Sequence, residues 1–181
     1  GALLNPFNQA AALTADIRLA PRISADLGAG AFFNSIIFAN TKGESYRGLR
    51  LRAGFKYHLV IEDASTFYIG AEGKHQDIKH IHYKEVFRQG LQYRESLSLK
   101  RTVRTSGAAL RIGWQYHFGK NLRWILEQSL GMGMDVNQVS QLLPPDAELV
   151  PEERFINFEL PEGRSQRLAL LYSIHIGVLL W

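Results

Sequence analysis

Apolar and polar residues alternate with a period of two along most of this chain, and no other feature constrains the fold as strongly. In the stretch LTADIRL (residues 13–19), Leu13, Ala15 and Ile17 fall on one side and polar residues on the other. Only an extended strand places alternate residues on opposite faces. The pattern recurs in seven segments, residues 9–19, 23–33, 49–59, 67–74, 108–118, 122–135 and 168–180. The sequence therefore predicts an all-β fold.

The distribution of bulk between the two faces is the reverse of that in a soluble β protein. One face of each segment is continuously apolar, whereas the other combines glycine with charges of both signs, as in Arg50-Leu51-Arg52. Soluble sandwiches and barrels enclose the bulky apolar face. Each apolar stripe also has about the 9–11 residues that a tilted strand needs to cross a bilayer. The pattern favours a transmembrane antiparallel up-and-down β-barrel of about eight strands with a polar, plugged lumen.

Length and composition fit one domain over residues 1–181 and exclude several classes of function. The chain has no cysteine, so disulfides and thiol chemistry are excluded. Its net charge of +4 is not accompanied by a nucleic-acid-binding motif, and no nucleic acid is expected as a partner. Single-chain bacterial barrels usually have an even number of strands, so we expect an eighth strand before Gln9, incomplete at the N-terminus.

Short and long connections are predicted to alternate along the chain, as they do in membrane barrels. The short turns fall at residues 21–22, 62–65 and 119–121, and the long loops at 40–45, 82–93 and 140–163. An aromatic girdle is expected near the short turns, formed by Tyr57, Phe67, Trp114, Tyr116, Phe118 and Trp124.

The chain resembles the small outer-membrane barrels of the OmpA/OmpX type, and among them the outer-membrane barrel proteins of Bacteroidetes. The resemblance lies in the repeated patterns LTADIRL (residues 13–19) and ISADLGAG (residues 23–30), and in the terminal segment 172–181, which ends in an aromatic residue. It extends over nearly the whole chain as a pattern, without a diagnostic motif. It implies a Gram-negative membrane protein of the cell outer membrane.

The predicted interior carries charges of both signs, and we interpret them as a structural salt-bridge network that fills the lumen. Its members are Asp16, Arg18, Asp26, Arg50, Arg52, Lys56, Glu72, Lys74, Arg111, Arg123 and Glu127. Glu72 and Glu127 could be paired catalytic acids, but the many interior bases favour neutralised ones. His58, His117 and His175 share the interior parity and are read as hydrogen-bonding groups. No catalytic residue, metal ligand or cofactor is predicted.

The outer loops are the surfaces that remain free to act. Lys and Arg are concentrated between residues 79 and 104, and acids between 140 and 163. The two segments could pair with each other as a lid, or they could contact lipopolysaccharide phosphates or another outer-membrane or surface protein. The candidate contact residues are Lys84, Arg88, Arg94, Lys100, Arg101, Phe155, Ile156 and Phe158.

The function expected from these features is that of a non-enzymatic outer-membrane β-barrel, a structural or accessory subunit in contact with outer-membrane lipid. Two alternatives stay open. One is a lipid-modifying enzyme, although the close Ser173 and His175 pair lies near the short-turn end and not at the outer rim. The other is a narrow channel for ions or protons.

Overall fold

Eight antiparallel strands make up almost all of the regular structure. A computed structural model of the chain describes residues 9–33, 45–88, 93–149 and 162–178. The strands are β1 (Gln9–Ala20), β2 (Ile23–Phe33), β3 (Ser45–Ile61), β4 (Ser65–Arg88), β5 (Tyr93–Phe118), β6 (Trp124–Gln141), β7 (Ala147–Leu149) and β8 (Gly163–Val178). One turn of 3-10 helix, Lys120–Leu122, precedes β6. In these described ranges, no helix combines the length and apolarity needed to span a membrane.

The strands form one up-and-down sheet in the order β1-β2-β3-β4-β5-β6-β8, and β7 pairs with the free end of β4. Each long strand is antiparallel to its neighbours. The predicted all-β, antiparallel up-and-down architecture is therefore confirmed. Within the described ranges, no hydrogen-bonded ladder joins β1 to β8, so these strands do not close into a barrel.

The seven predicted strands are confirmed. The first short turn lies at residues 21–22 as predicted, the second spans 62–64 where 62–65 was predicted, and the third spans 119–123 where 119–121 was predicted. The eighth strand expected before Gln9 lies outside the described residues. So do residues 40–44 of the loop expected at 40–45, whereas Ser45 begins β3. Of the loop predicted at 140–163, residues 140–141 belong to β6 and 147–149 form β7, while 150–161 also lie outside the described part.

The long loop predicted at residues 82–93 is wrong. β4 continues to Arg88 and β5 begins at Tyr93, with these two residues paired across the hairpin. The hairpin extends beyond Ile81, the outermost β4 residue paired with β3, and beyond Arg101, the outermost β5 residue paired with β6. The alternation of interior and outward residues continues here, with Val86, Leu97 and Leu99 on the interior side. Charged residues are frequent in the same segment, and they obscure the pattern in the sequence. Val86 and Leu99 are buried, and burial of this side accounts for the longer strands.

The sheet curls so that its polar face is enclosed. Leu110 is 72% exposed and the next residue, Arg111, is 4% exposed. Arg111 on β5 also contacts Asp26 on β2, although two strands lie between them in the sheet. Such a contact requires the polar faces of distant strands to turn toward each other. We call this enclosed side the interior and the opposite side the outward face.

Close packing inside the curl predicts that a side chain added at Gly133 destabilises the protein. A Cβ there would meet the carbonyl oxygen of Ala108 and the Cβ of Ala109. Gly133→Val should lower the free energy of unfolding by about 1–3 kcal/mol, as overpacking commonly does. Urea titration in micelles would measure it. The matched control is Gly73→Val on the outward face of β4, where Cβ meets only the Gly107 carbonyl oxygen at 4.0 Å. Equal losses for the two variants would contradict this account.

Candidate functional site

Glu127 on β6 is the centre of a hydrogen-bonded cluster that connects five strands. Its Oε2 accepts from Lys56 Nζ on β3 at 2.6 Å and from Gln115 Nε2 on β5 at 2.7 Å. Its Oε1 accepts from Tyr68 Oη on β4, also at 2.6 Å. Lys56 Nζ lies 2.5 Å from Asp16 Oδ2 and so brings β1 into the cluster. All of these partners except Asp16 are buried. Both oxygens of Glu127 are therefore engaged.

Arg111 on β5 is the centre of a second cluster beside the first. Its guanidinium pairs with Asp26 on β2 and, at 3.3 Å, with Glu72 on β4. Arg52 on β3 approaches the other oxygen of Asp26 at 3.5 Å. The Tyr68 ring lies between the clusters, 5.0 Å from Lys56 Nζ and 5.7 Å from the Arg111 guanidinium carbon. Two acids therefore share the positive charges of two arginines in an enclosed space.

Buried apolar side chains join the interior of β4, β5 and β6 toward the β4–β5 hairpin. Lys74 Nζ pairs with Asp135 Oδ2 at 2.9 Å, and Thr105 bonds to Asn137. Beyond them along the strands, Ile78, Val103 and Val139 are buried and paired in register. Water is poorly accommodated where no polar partner is available. These three residues form a buried apolar contact across β4, β5 and β6, and Arg101 is buried again beyond it.

Glycines on the interior side provide the space that the long charged side chains occupy. A Cβ at Gly54 would lie 2.8 Å from Asp26 Oδ1, and one at Gly113 would lie 2.6 Å from the hydroxyl of Tyr68. Gly28 stands in the same way against Arg52. The polar face is rich in glycine because larger residues at these positions would collide with the long side chains beside them.

The structure brings together eight of the eleven predicted interior residues, namely Asp16, Asp26, Arg52, Lys56, Glu72, Lys74, Arg111 and Glu127. The other three form no ion pair with the described residues, although Arg50 lies on the predicted interior side. Arg18 donates to the Pro21 carbonyl oxygen at the turn, and Arg50 is half-buried on the interior side. Arg123 is exposed in the turn before β6 and lies outside the interior.

Tyr68 and Gln115 were missed among the site residues because the sequence argument selected charged residues. Their interior parity was the available signal, and burial of a phenol or an amide requires a partner such as Glu127.

The residues proposed to contact lipid or a partner protein have different environments. Arg88 pairs with Glu95 at 3.4 Å and with Asp146 at 2.9 Å. Arg94 lies over the Phe87 ring, and Arg101 is buried on the interior side. Lys84 is half-buried and Lys100 is exposed on the outward face. Phe155, Ile156 and Phe158 lie outside the described residues. The Arg88–Asp146 pair and the β4–β7 ladder show that the basic hairpin contacts the start of the acidic segment.

Two of the three interior histidines lie against a polar side chain. His58 Nε2 is 3.0 Å from the Ser24 hydroxyl, and His175 Nδ1 is 3.9 Å from Glu127 Oε1. His117 is half-buried near the short-turn end. Within the described ranges, no group of three or more His, Cys, Asp or Glu residues is arranged to hold a metal ion. The geometry is that of a neutralised, space-filling network.

No family model, no curated protein and no solved structure matches this chain. Its function must therefore be inferred from the geometry of its own residues.

Removal of the Arg111 charge should destabilise the fold strongly. Arg111→Leu would leave Asp26 and Glu72 in the interior without their main cation, at a cost of about 3–5 kcal/mol in free energy of unfolding. Arg123→Leu makes the same chemical change in the exposed turn and should cost less than about 1 kcal/mol. Urea unfolding of both variants in micelles would measure the difference. A small loss at Arg111 would mean that its cluster contributes little to stability.

Proposed function

We propose that this chain forms the wall of a transmembrane β-barrel in a Gram-negative outer membrane, as a non-enzymatic structural or accessory subunit. The observation that carries the proposal is the inverted distribution of side chains. Bulky apolar residues cover the outward face, whereas charged residues are buried in the interior. Leu13 and Ile176 are 86% and 70% exposed, while Asp26 is 0% exposed.

The outward face is too extensive and too apolar to be stable against water. Exposed Leu, Ile, Phe, Met, Tyr or Trp side chains occur on all seven long strands. Soluble monomers rarely expose a contiguous apolar patch of more than a few hundred Å². A groove of about 1060 Å³ is lined mainly by apolar side chains of this face, among them Phe55, Leu110 and Met132, together with Lys56 and Arg111 of the interior. Acyl chains of lipid would cover this surface without leaving polar groups unpaired.

Strand length and aromatic placement agree with a bilayer. The shortest long strand, β2, has 11 residues, which is about the length that crosses a membrane at a tilt. Tyr57, Trp114, Tyr116, Phe118 and Trp124 are exposed on the outward face toward the short turns. Amphipathic rings of this kind are enriched at the interface of membrane barrels.

A membrane barrel also requires that the two sheet edges be covered. Because seven long strands alternate in direction, β1 and β8 run the same way. One further strand, antiparallel to both, would complete an even number and satisfy their free backbone groups. The side chains of Thr14, Asp16 and Arg18 on β1 are exposed, unlike their counterparts on β2 to β6. The proposed closing position is therefore along β1.

The membrane orientation predicts a large cost for a charge in the middle of the outward face. Ile112→Arg should lower the free energy of unfolding in lipid vesicles by about 2–4 kcal/mol. Tyr83→Arg, on the exposed part of the hairpin, is the control and should change it by less than about 1 kcal/mol.

Spin labels on engineered cysteines would test the same orientation independently, since the natural chain has none. Labels at 112 and 176 should be accessible to oxygen in lipid, and a label at Glu62 in a short turn to a water-soluble relaxation agent. Aqueous accessibility at 112 and 176 would contradict the membrane assignment.

The filled interior predicts that the purified protein does not conduct ions. Its acids and bases pair directly across the interior, and Ile78, Val103 and Val139 are buried beside one another nearer the hairpin. Planar-bilayer recordings should show the baseline of protein-free membranes. Steady, ion-selective current would favour the channel instead of the structural subunit.

A further inference from the structure

Three cations lie together on the outward face just beyond its apolar band. Arg47 on β3, Lys79 on β4 and Lys100 on β5 are all exposed. Arg47 is two residues from Leu49, which is an exposed apolar residue on the same face. They are therefore placed where the apolar surface of the sheet gives way to its polar outer end.

The strand register fixes their relation to one another. Arg47 and Lys79 are direct partners in the β3–β4 ladder, and Lys79 is the partner of Thr102 on β5. Lys100 and Arg104 flank Thr102 two residues away on either side. Direct partners have Cβ atoms about 4.5–5.5 Å apart and diagonal neighbours about 7–8 Å. Lys79 thus has Arg47, Lys100 and Arg104 as neighbours on the same face. Thr102, which carries a hydroxyl, lies between Lys100 and Arg104.

Among the described residues, the charges of Arg47, Lys79 and Lys100 are not compensated by an acid. Asp77 is the nearby acid on the same face of β4, and its carboxylate accepts from Arg104 Nε at 3.1 Å. Arg47, Lys79 and Lys100 have no ion pair with any of the described residues. Like charges directly opposite in a sheet are destabilising. The group would be stabilised by an anion that bridges Arg47 and Lys79.

We propose that Arg47, Lys79 and Lys100 form a binding site for the phosphate of an anionic lipid headgroup. Arginine offers a planar pair of donors and lysine a point charge, and both suit phosphate oxygens. The adjoining apolar face would hold the acyl chains of the same molecule. This inference rests on the proposed membrane orientation, which places the site at the headgroup layer.

Retention of lipid by the intact protein would test the site. Native mass spectrometry from zwitterionic micelles would compare diphosphorylated lipid A with the same lipid after removal of its phosphates. The wild-type protein should retain the phosphorylated form preferentially. The R47Q/K79Q variant should bind that form at least about tenfold more weakly. The control R22Q/K120Q removes the same charge from exposed positions near the short turns and should behave as wild type. Equal losses in the two variants, or none in R47Q/K79Q, would overturn the site.

Two further measurements distinguish lipid binding from binding of free phosphate, and an external anion from a partner of Arg47 inside the protein. Inorganic phosphate at the concentration of lipid A should not displace it; if it does, the site takes free phosphate and the lipid assignment is wrong. Without any anion, R47Q should unfold at the same urea concentration as wild type or at a higher one, because it removes like-charge repulsion. A lower midpoint would mean that Arg47 has a partner inside the protein. Spin labels at 112 and 176 in the same samples distinguish failure of the site from failure of the membrane orientation.

Discussion

The ion pair between Arg111 and Asp26 is the interaction on which the curled sheet depends. The two residues are on β5 and β2, and they meet only if the polar faces of the strands between them turn inward. An unpaired charge in such an enclosed space costs several kcal/mol, so the partners must come from distant strands. Glu127 and Lys56 repeat this requirement between β6 and β3. Pairing of interior charges therefore fixes the curvature, and the curvature leaves the apolar side chains outside.

The open edges of the sheet impose the next constraint. β1 and β8 each have one side without a ladder among the described strands. Exposed backbone donors and acceptors are tolerable in water but not in hydrocarbon, where each unsatisfied group costs several kcal/mol. The outward apolar face is thus stable in hydrocarbon, whereas the uncovered edges are stable only in water. In the proposed barrel, one further strand between β1 and β8 would satisfy both edges, and along β1 it would shield Asp16 from solvent.

The strands and their two faces could be predicted from the sequence, because apolar and polar residues alternate with a period of two only in an extended strand. The sequence placed Arg111 and Glu127 on the interior side, but it could not identify their partners, since cross-sheet contacts depend on curvature and register. It missed Tyr68, whose role follows from burial beside Glu127 and not from charge. The length of the β4–β5 hairpin was also missed, because its alternating residues Val86, Leu97 and Leu99 are interspersed with many polar ones. Arg123 was misplaced since the short helical turn before β6 interrupts the period.

The two faces of the sheet treat charge in opposite ways, and this contrast bears on what the outward face contacts. In the interior, Asp26, Glu72, Glu127 and Asp135 each lie against a lysine or an arginine, as desolvation requires. On the outward face, Arg47 stands directly opposite Lys79. Asp77 lies beside this group, but its carboxylate accepts from Arg104 and not from Arg47 or Lys79. The excess positive charge beside the apolar band is therefore best understood as complementary to a negative charge supplied from outside the protein.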